Sequence, residues 1–100
     1  MTRLADKYVD QVRAIVLART ASLPVAVYLF GSRASGTASD YSDVDIAIEA
    51  KGPLPPAFFS DLVEELEEST VPYRVDVVNL AETEEAFRAR VMATGIKWQG

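Results

Sequence analysis

The segment VAVYLF, residues 25–30, leaves this chain the fewest folds to choose from. It is an unbroken apolar run rich in β-branched and aromatic types, with neither helical nor alternating polarity. A helix-period segment precedes it, Pro24 stops that segment, and Gly31 follows the run. The run therefore reads as a buried central strand, and such a strand needs apolar cover.

The flanking segments supply that cover. Residues 3–20 place Leu4, Tyr8, Val12, Ile15 and Val16 at helical spacing, with Arg3, Asp6, Lys7, Asp10 and Arg13 on other faces. Residues 31–41 are small and polar, a loop with room for one helical turn. Residues 42–49 alternate: Val44, Ile46 and Ile48 face one side, Asp43, Asp45 and Ala47 the other. Residues 57–69 read as a helix with Phe59, Leu62, Val63 and Leu66 inward and Glu64, Glu65, Glu67 and Glu68 outward. After Pro72 a third strand is expected at 73–78, with Tyr73, Val75 and Val77 on one face and Arg74, Asp76 and Val78 on the other. A last helix is expected at 82–94, ended by Gly95, with Ile96 folded back on Val91 as in a Schellman cap. Helix, strand, loop, strand, helix, strand, helix is an α/β order, and a sheet covered by helices is its economical architecture.

The composition narrows the chemistry. A length of 100 residues suits a single domain spanning 1–100. The chain has no cysteine and no histidine, which removes disulfides, thiolate or imidazole zinc sites, and Ser-His or Cys-His nucleophiles. Acid–base work falls to Asp, Glu, Lys, Tyr or a bound metal. A net charge of -5 disfavours extended nucleic-acid binding and suits a basic protein partner. The N-terminal MTRLADKYVD lacks the apolar core of a signal peptide, and no apolar stretch approaches the ~20 residues of a membrane span. A cytoplasmic protein with no membrane contact is expected.

The informative segment is GSRASGTASDYSDVDIAI. Asp43 and Asp45 lie two apart on an expected strand, so their carboxylates project from one face with Cα atoms about 7 Å apart. Like charges on one face of a small sheet are costly unless a cation sits between them. Carboxylate oxygens without imidazole or thiolate point to Mg²⁺, with Mn²⁺ as the other candidate. Asp76 occupies the matching place on the third strand. Three aspartates on adjacent strands could hold two divalent ions about 4 Å apart, the spacing used for in-line displacement at phosphorus. Gly31 and Ser32 lie where the buried strand ends. Glycine there lets backbone N–H groups approach a phosphate, the Ser32 hydroxyl can join them, and Arg33 can add charge-assisted bonds. Together the two halves suggest chemistry on a nucleoside triphosphate.

Gly31-Ser32, ten intervening residues and then Asp43-Val44-Asp45 match the GS-x10-DxD signature of the DNA polymerase β-like nucleotidyltransferase superfamily. The short chain and its GSRASG start resemble, more narrowly, the minimal nucleotidyltransferase (MNT) family, commonly paired with HEPN-domain partners in prokaryotic toxin–antitoxin modules. The resemblance implies a mixed β-sheet with helices packed on it, in the polymerase β-like fold. It implies metal binding and catalysis by Asp43, Asp45 and Asp76, with Asp76 helping to activate the acceptor hydroxyl, and triphosphate contacts from Gly31 and Ser32. It also implies AMP transfer from ATP onto a hydroxyl, often a tyrosine of the HEPN toxin, which silences that toxin's RNase activity.

Other readings stand beside these. Asp43 and Asp45 could be a solvated strand face, and Asp76 a structural ion pair with Arg74 or Arg33. Ser32 could be a helix N-cap, Arg33 a surface charge, and Ser42 the start of a strand or a ligand contact. The glutamate run of the second helix reads as a solvated face or a docking surface for a basic partner. Phe58, Phe59, Phe87 and Trp98 read as packing more than base stacking, while Tyr28 and Tyr41 lie near the loop. At the level of function, a non-catalytic antitoxin that occludes its partner is the alternative to an enzyme. A fragment of a polynucleotide or aminoglycoside nucleotidyltransferase is less consistent with the acidic balance.

Overall fold

In the computed structural model, which describes residues 4–39 and 42–100, the apolar run is strand β1 (Val25–Phe30), buried over its first five residues. The burial follows from its position. β2 (Val44–Ala50) pairs antiparallel with it on one side and β4 (Ile96–Gln99) antiparallel on the other. β3 (Val75–Asn79) lies parallel to β2, so the mixed sheet runs β3-β2-β1-β4. The helices are α1 (Leu4–Thr20), α2 (Ser32–Ser35), α3 (Phe58–Glu68) and α4 (Glu85–Thr94). Arg3, Tyr41 and the side chain of Leu4 lie outside the described residues.

Period-two alternation divides the sheet into two unequal faces. On one face, Val27, Val44, Ile46 and Ile48 pack fully buried with Val12 and Val16 of α1 and Leu62 of α3. Each such side chain contributes roughly 1.5–3 kcal/mol of burial. The other face carries a smaller cluster, Ala26, Tyr28, Ala47, Leu80 and Val91, with Phe30 and Phe87 edge-to-face beside it at 5.6 Å. Tyr28 is thus a core residue, and Phe58 and Trp98 pack into the larger cluster. On α3, Phe58 is buried and Phe59 only partly so, the reverse of the emphasis that spacing alone suggests. Glu64, Glu67 and Glu68 are exposed as expected, while Glu65 forms an ion pair with Arg19 of α1.

Two expectations near the C-terminal end are corrected. Gly95 has φ -73 and ψ 161, extended rather than left-handed, so there is no Schellman cap. Ile96 is 47% exposed and pairs with Leu29 as the first residue of β4, a strand the sequence reading did not contain. The helix expected from residue 82 is split: Leu80–Glu82 form a 3-10 turn, capped by Asn79 Oδ1 accepting from the Ala81 N–H at 3.0 Å, and α4 starts at Glu85. β2 and β3 begin two residues later than expected, leaving Asp43 just ahead of its strand.

Gly95 is required for space instead of for φ. A Cβ there would stand 2.6 Å from the Val91 carbonyl oxygen and 3.1 Å from that of Leu29, where α4 ends against β1. Both obstacles are backbone. Gly95→Ala is expected to destabilise the domain by about 1–3 kcal/mol, read as a lower urea midpoint at unchanged m-value.

Candidate active site

β1 ends at Phe30 and the chain turns at Gly31, whose φ of 75 and ψ of -154 favour a residue without a Cβ. A Cβ at Gly31 would also fall far inside contact distance of Asp45 Oδ2. The turn and the carboxylate therefore occupy the same space, and only glycine lets them do so. Gly31 is the N-cap of α2 and Ser32 its first residue, which corrects the reading of Ser32 as the cap. The N–H groups of Ser32 and Arg33 open α2, where no helix carbonyl can reach them. The Gly31 carbonyl is taken up by the Ala34 and Ser35 N–H groups, both at 3.1 Å.

Asp45 and Asp76 are register partners across the parallel β2–β3 pair. Both lie on the sheet face opposite Val44, Ile46, Val75 and Val77, the face on which α4 packs, its Phe87 against Phe30, the partner of Asp45. Asp43 is exposed, two residues before Asp45. Burial, then the charges of Asp76 and Asp43, push the Asp45 carboxyl above its ordinary value, while Arg74 pulls it partly back. The structure thus brings the predicted carboxylates into mutual electrostatic range. Asp76 also meets the ion-pair expectation, since Arg74 Nε donates to its Oδ1 at 3.1 Å. That pair is open to water, with 75% of the Arg74 side chain exposed, and such a pair adds little stability. Among the described residues, no three acidic side chains already stand as a ready-made ligand cluster. The donor set nevertheless suits a hard divalent cation: oxygen ligands only, on neighbouring strands, with one carboxylate whose ionisation a cation would favour.

Arg33 does something the sequence did not disclose. Its Nε and Nη2 donate to the Ser42 carbonyl at 3.2 and 2.6 Å, and its guanidinium lies 4.6 Å from the centroid of the Tyr73 ring. One side chain so ties α2 to the residue before Asp43 and to the approach to β3. Ser42 closes a turn, its Oγ accepting from the Ser39 N–H at 2.9 Å, and does not begin the strand. No local pattern marks this clamp, because its partners are a backbone carbonyl nine residues away and a ring forty residues away.

Comparison with known proteins follows the same geometry. The family model "Polymerase beta, Nucleotidyltransferase" matches residues 14–97. A Haemophilus influenzae protein named probable protein adenylyltransferase MntA is 45% identical over 62 residues, 62% of this chain and 54% of that protein. The chain thus spans about half the length of that curated relative. A toxin–antitoxin crystal structure with AMP-PNP contains a chain 26% identical, with a TM-score of 0.68 over 88% of this chain and 73% of that one. The complex of a tri-AMPylated Shewanella oneidensis HEPN toxin with its MNT antitoxin shares the fold at 23% identity and a TM-score of 0.65, covering 97% of this chain and 73% of that one. Among the described residues, no helix is long and apolar enough to cross a membrane.

The Asp45 shift has a sign that can be tested. With its folded pKa above the unfolded one, the native state binds more protons between the two values, so stability falls as pH rises through that window. Asp45→Asn removes the penalty. Without divalent cations the variant should melt higher than wild type at neutral pH, and the difference should vanish once pH drops below the ordinary aspartate value. Differential scanning fluorimetry from pH 3 to 8, a range set about the ordinary aspartate pKa of ~4, reads it directly.

Proposed function

The chain belongs to the polymerase beta nucleotidyltransferase family, and from that premise we propose that it transfers AMP from ATP to a hydroxyl, that of a tyrosine, on a HEPN-type toxin, as the antitoxin of the pair. The observation that carries this reading is Asp45 set against Gly31 on one side and in register with Asp76 on the other. Carboxylates and a Cβ-free turn meet at the end of the same strand, where a triphosphate and its cations would be bound together. The name of the H. influenzae relative and the AMP-PNP toxin–antitoxin complex point to the same reaction and kind of partner. The setting proposed is the cytoplasm.

Asp43, Asp45 and Asp76 would hold two Mg²⁺ ions, which when bound supply charge neutralisation on the phosphates and a lowered pKa for the acceptor hydroxyl. The rest is work for this chain's own groups. Gly31 admits the triphosphate by having no side chain, and the N–H groups of Ser32 and Arg33 with the Ser32 hydroxyl hold its β- and γ-oxygens. Asp76, on the edge strand, faces the acceptor and receives the hydroxyl proton as the oxygen attacks the α-phosphorus. The bond from that phosphorus to the β-phosphate's bridging oxygen breaks, and pyrophosphate leaves. Arg33 positions: by holding Ser42 it fixes where Asp43 stands. Catalysis here is mainly placement and electrostatics.

Incubation with labelled ATP, Mg²⁺ and the product of the neighbouring gene, followed by intact mass measurement, tests the reading. The partner should gain the mass of one or more AMP groups. Asp43→Asn and Asp45→Asn should each lower the transfer rate by about a hundredfold or more, the equivalent of several kcal/mol, with the fold intact. Transfer near the wild-type rate in either variant would exclude this mechanism. Neutralisation of the partner by Asp43→Ala/Asp45→Ala without ATP would instead identify occlusion. The role of Arg33 separates kinetically: Arg33→Ala should lower kcat about tenfold, a fraction of an ångström of misplacement being enough, while KM for ATP stays near wild type. A raised KM for ATP at unchanged kcat would make Arg33 a phosphate ligand.

A further inference from the structure

β3 is the edge strand of the sheet, and among the described residues no further strand pairs with its outer side. The Val44 N–H donates to the Arg74 carbonyl at 2.9 Å, so Arg74 and, by alternation, Asp76 turn their backbone groups towards β2. Val75 and Val77 therefore direct their N–H and C=O groups outward, away from the sheet. Along that outer side runs a groove of about 500 Å³ lined by Val63, Glu67, Val71, Tyr73, Asp76 and Val77 among others. Valines and the carboxylates of Glu67 and Asp76 line it together, and the carboxylates make its rim acidic. Glu64 and Glu68 are exposed on the same helix as Glu67, and of the cations at the groove among the described residues Arg74 is engaged with Asp76 while Arg33 lies on the Tyr73 ring and holds the Ser42 carbonyl. A strand edge with a groove of valines and carboxylates beside it is the geometry of strand addition.

We propose that the outer edge of β3 docks an extended, basic segment of the acceptor protein as an added antiparallel strand, which delivers its hydroxyl to Asp76. The proposal deepens the AMP-transfer reading and rests on it. Two observations choose this occupant: the acidic rim calls for lysine or arginine, and Asp76 belongs both to the groove and to the carboxylate pair with Asp45. Register does the rest. Val75 and Val77 bond to the incoming strand, which leaves the residue opposite Asp76 in a non-hydrogen-bonded pair, with Cα atoms about 4.5 Å apart and both side chains on one face. A serine, threonine or tyrosine there extends the row Asp45–Asp76 by one place. Its two neighbours turn to the opposite face, over Val63 and Val71. The acceptor segment is thus specified as apolar–hydroxyl–apolar with basic flanks.

The test uses a synthetic nonapeptide, Gln-Lys-Gln-Val-Tyr-Val-Gln-Lys-Gln, whose lysines share the face of its valines and so turn towards Glu67, against a scrambled peptide of the same composition without alternation. Amide hydrogen exchange is followed at Val75 and Val77, and the peptides are weighed after incubation with ATP and Mg²⁺. The alternating peptide should slow exchange at both amides at least tenfold and carry AMP on its tyrosine; the scrambled one should do neither. Val75→Pro, which removes an outward N–H and leaves the β2 ladder intact, and Glu67→Lys should each weaken binding about tenfold at unchanged ATP-dependent thermal stabilisation. If neither peptide protects Val75 and Val77 while ATP with Mg²⁺ still raises the melting temperature, the docking edge is wrong and the nucleotide reading stands. Protection without AMP on the tyrosine overturns delivery of the hydroxyl to Asp76, while the mass of the natural partner decides the transfer reading separately. Equal protection by both peptides, or concentration-dependent protection with neither peptide and a dimeric mass, overturns the proposal in favour of unspecific attraction or of a second copy.

Discussion

A carboxylate held where its charge is disfavoured organises this molecule. Asp45 stands against the bare backbone of Gly31, partly withdrawn from water and across from Asp76. In an ordinary small domain that position would be apolar. Keeping an acid there requires a left-handed turn that excludes any Cβ, a parallel strand pair that sets a second acid beside it, and a stretch of sheet left only partly covered. Each of these is a cost to the fold, and each makes sense if a multiply charged ligand and its counter-ions offset it.

The division of labour between the sheet's faces makes this possible. One face is closed over by α1 and α3 on a continuous aliphatic layer, which supplies most of the burial. That leaves the opposite face free to be only partly covered. α4 closes the region around Ala47 and Tyr28, and its Phe87 reaches Phe30, the register partner of the half-buried Asp45. The site is therefore built on strand ends backed by a rigid layer, with only α2 and its clamp added. Arg33 belongs to this economy, since one guanidinium fastens the loop whose far end carries Asp43.

Much of this could be read from the residues. The VAVYLF run became the central strand with the expected bounds, and the alternation in VDIAIE placed Asp45 opposite Val44 and Ile46. Those features carry strong periodicity, and periodicity reports burial. β4 escaped because IKWQ is four residues long and mixes exposed, charged and aromatic side chains, leaving too little pattern to separate a strand from a helix tail. Its existence is decided by pairing with Leu29 and Tyr28, which no local window contains. The clamp of Arg33 was hidden for the same reason, and so was the cramped space at Gly95, where glycine at a helix end suggested a left-handed cap and the obstacle was the neighbouring strand. The triphosphate roles of Gly31, Ser32 and Arg33 and the metal roles of the aspartates rest on residue chemistry and remain proposals.

The junction of α1 with β4 bears on how the chain reaches this state. Thr20 is fully buried, its hydroxyl donates to the Gln99 Oε1 at 3.1 Å, and Gln99 Nε2 donates to the Thr20 carbonyl at 2.6 Å. Groups 79 positions apart thus complete one another. On a ribosome, α1 emerges long before the residue that seals its end, and β1 waits equally long for its second neighbour. Contacts of such span slow the search for the native state. The nascent domain must carry an unclasped helix and a half-paired central strand until β4 arrives, which makes this interval the time when a chaperone or an early-bound partner has most to offer.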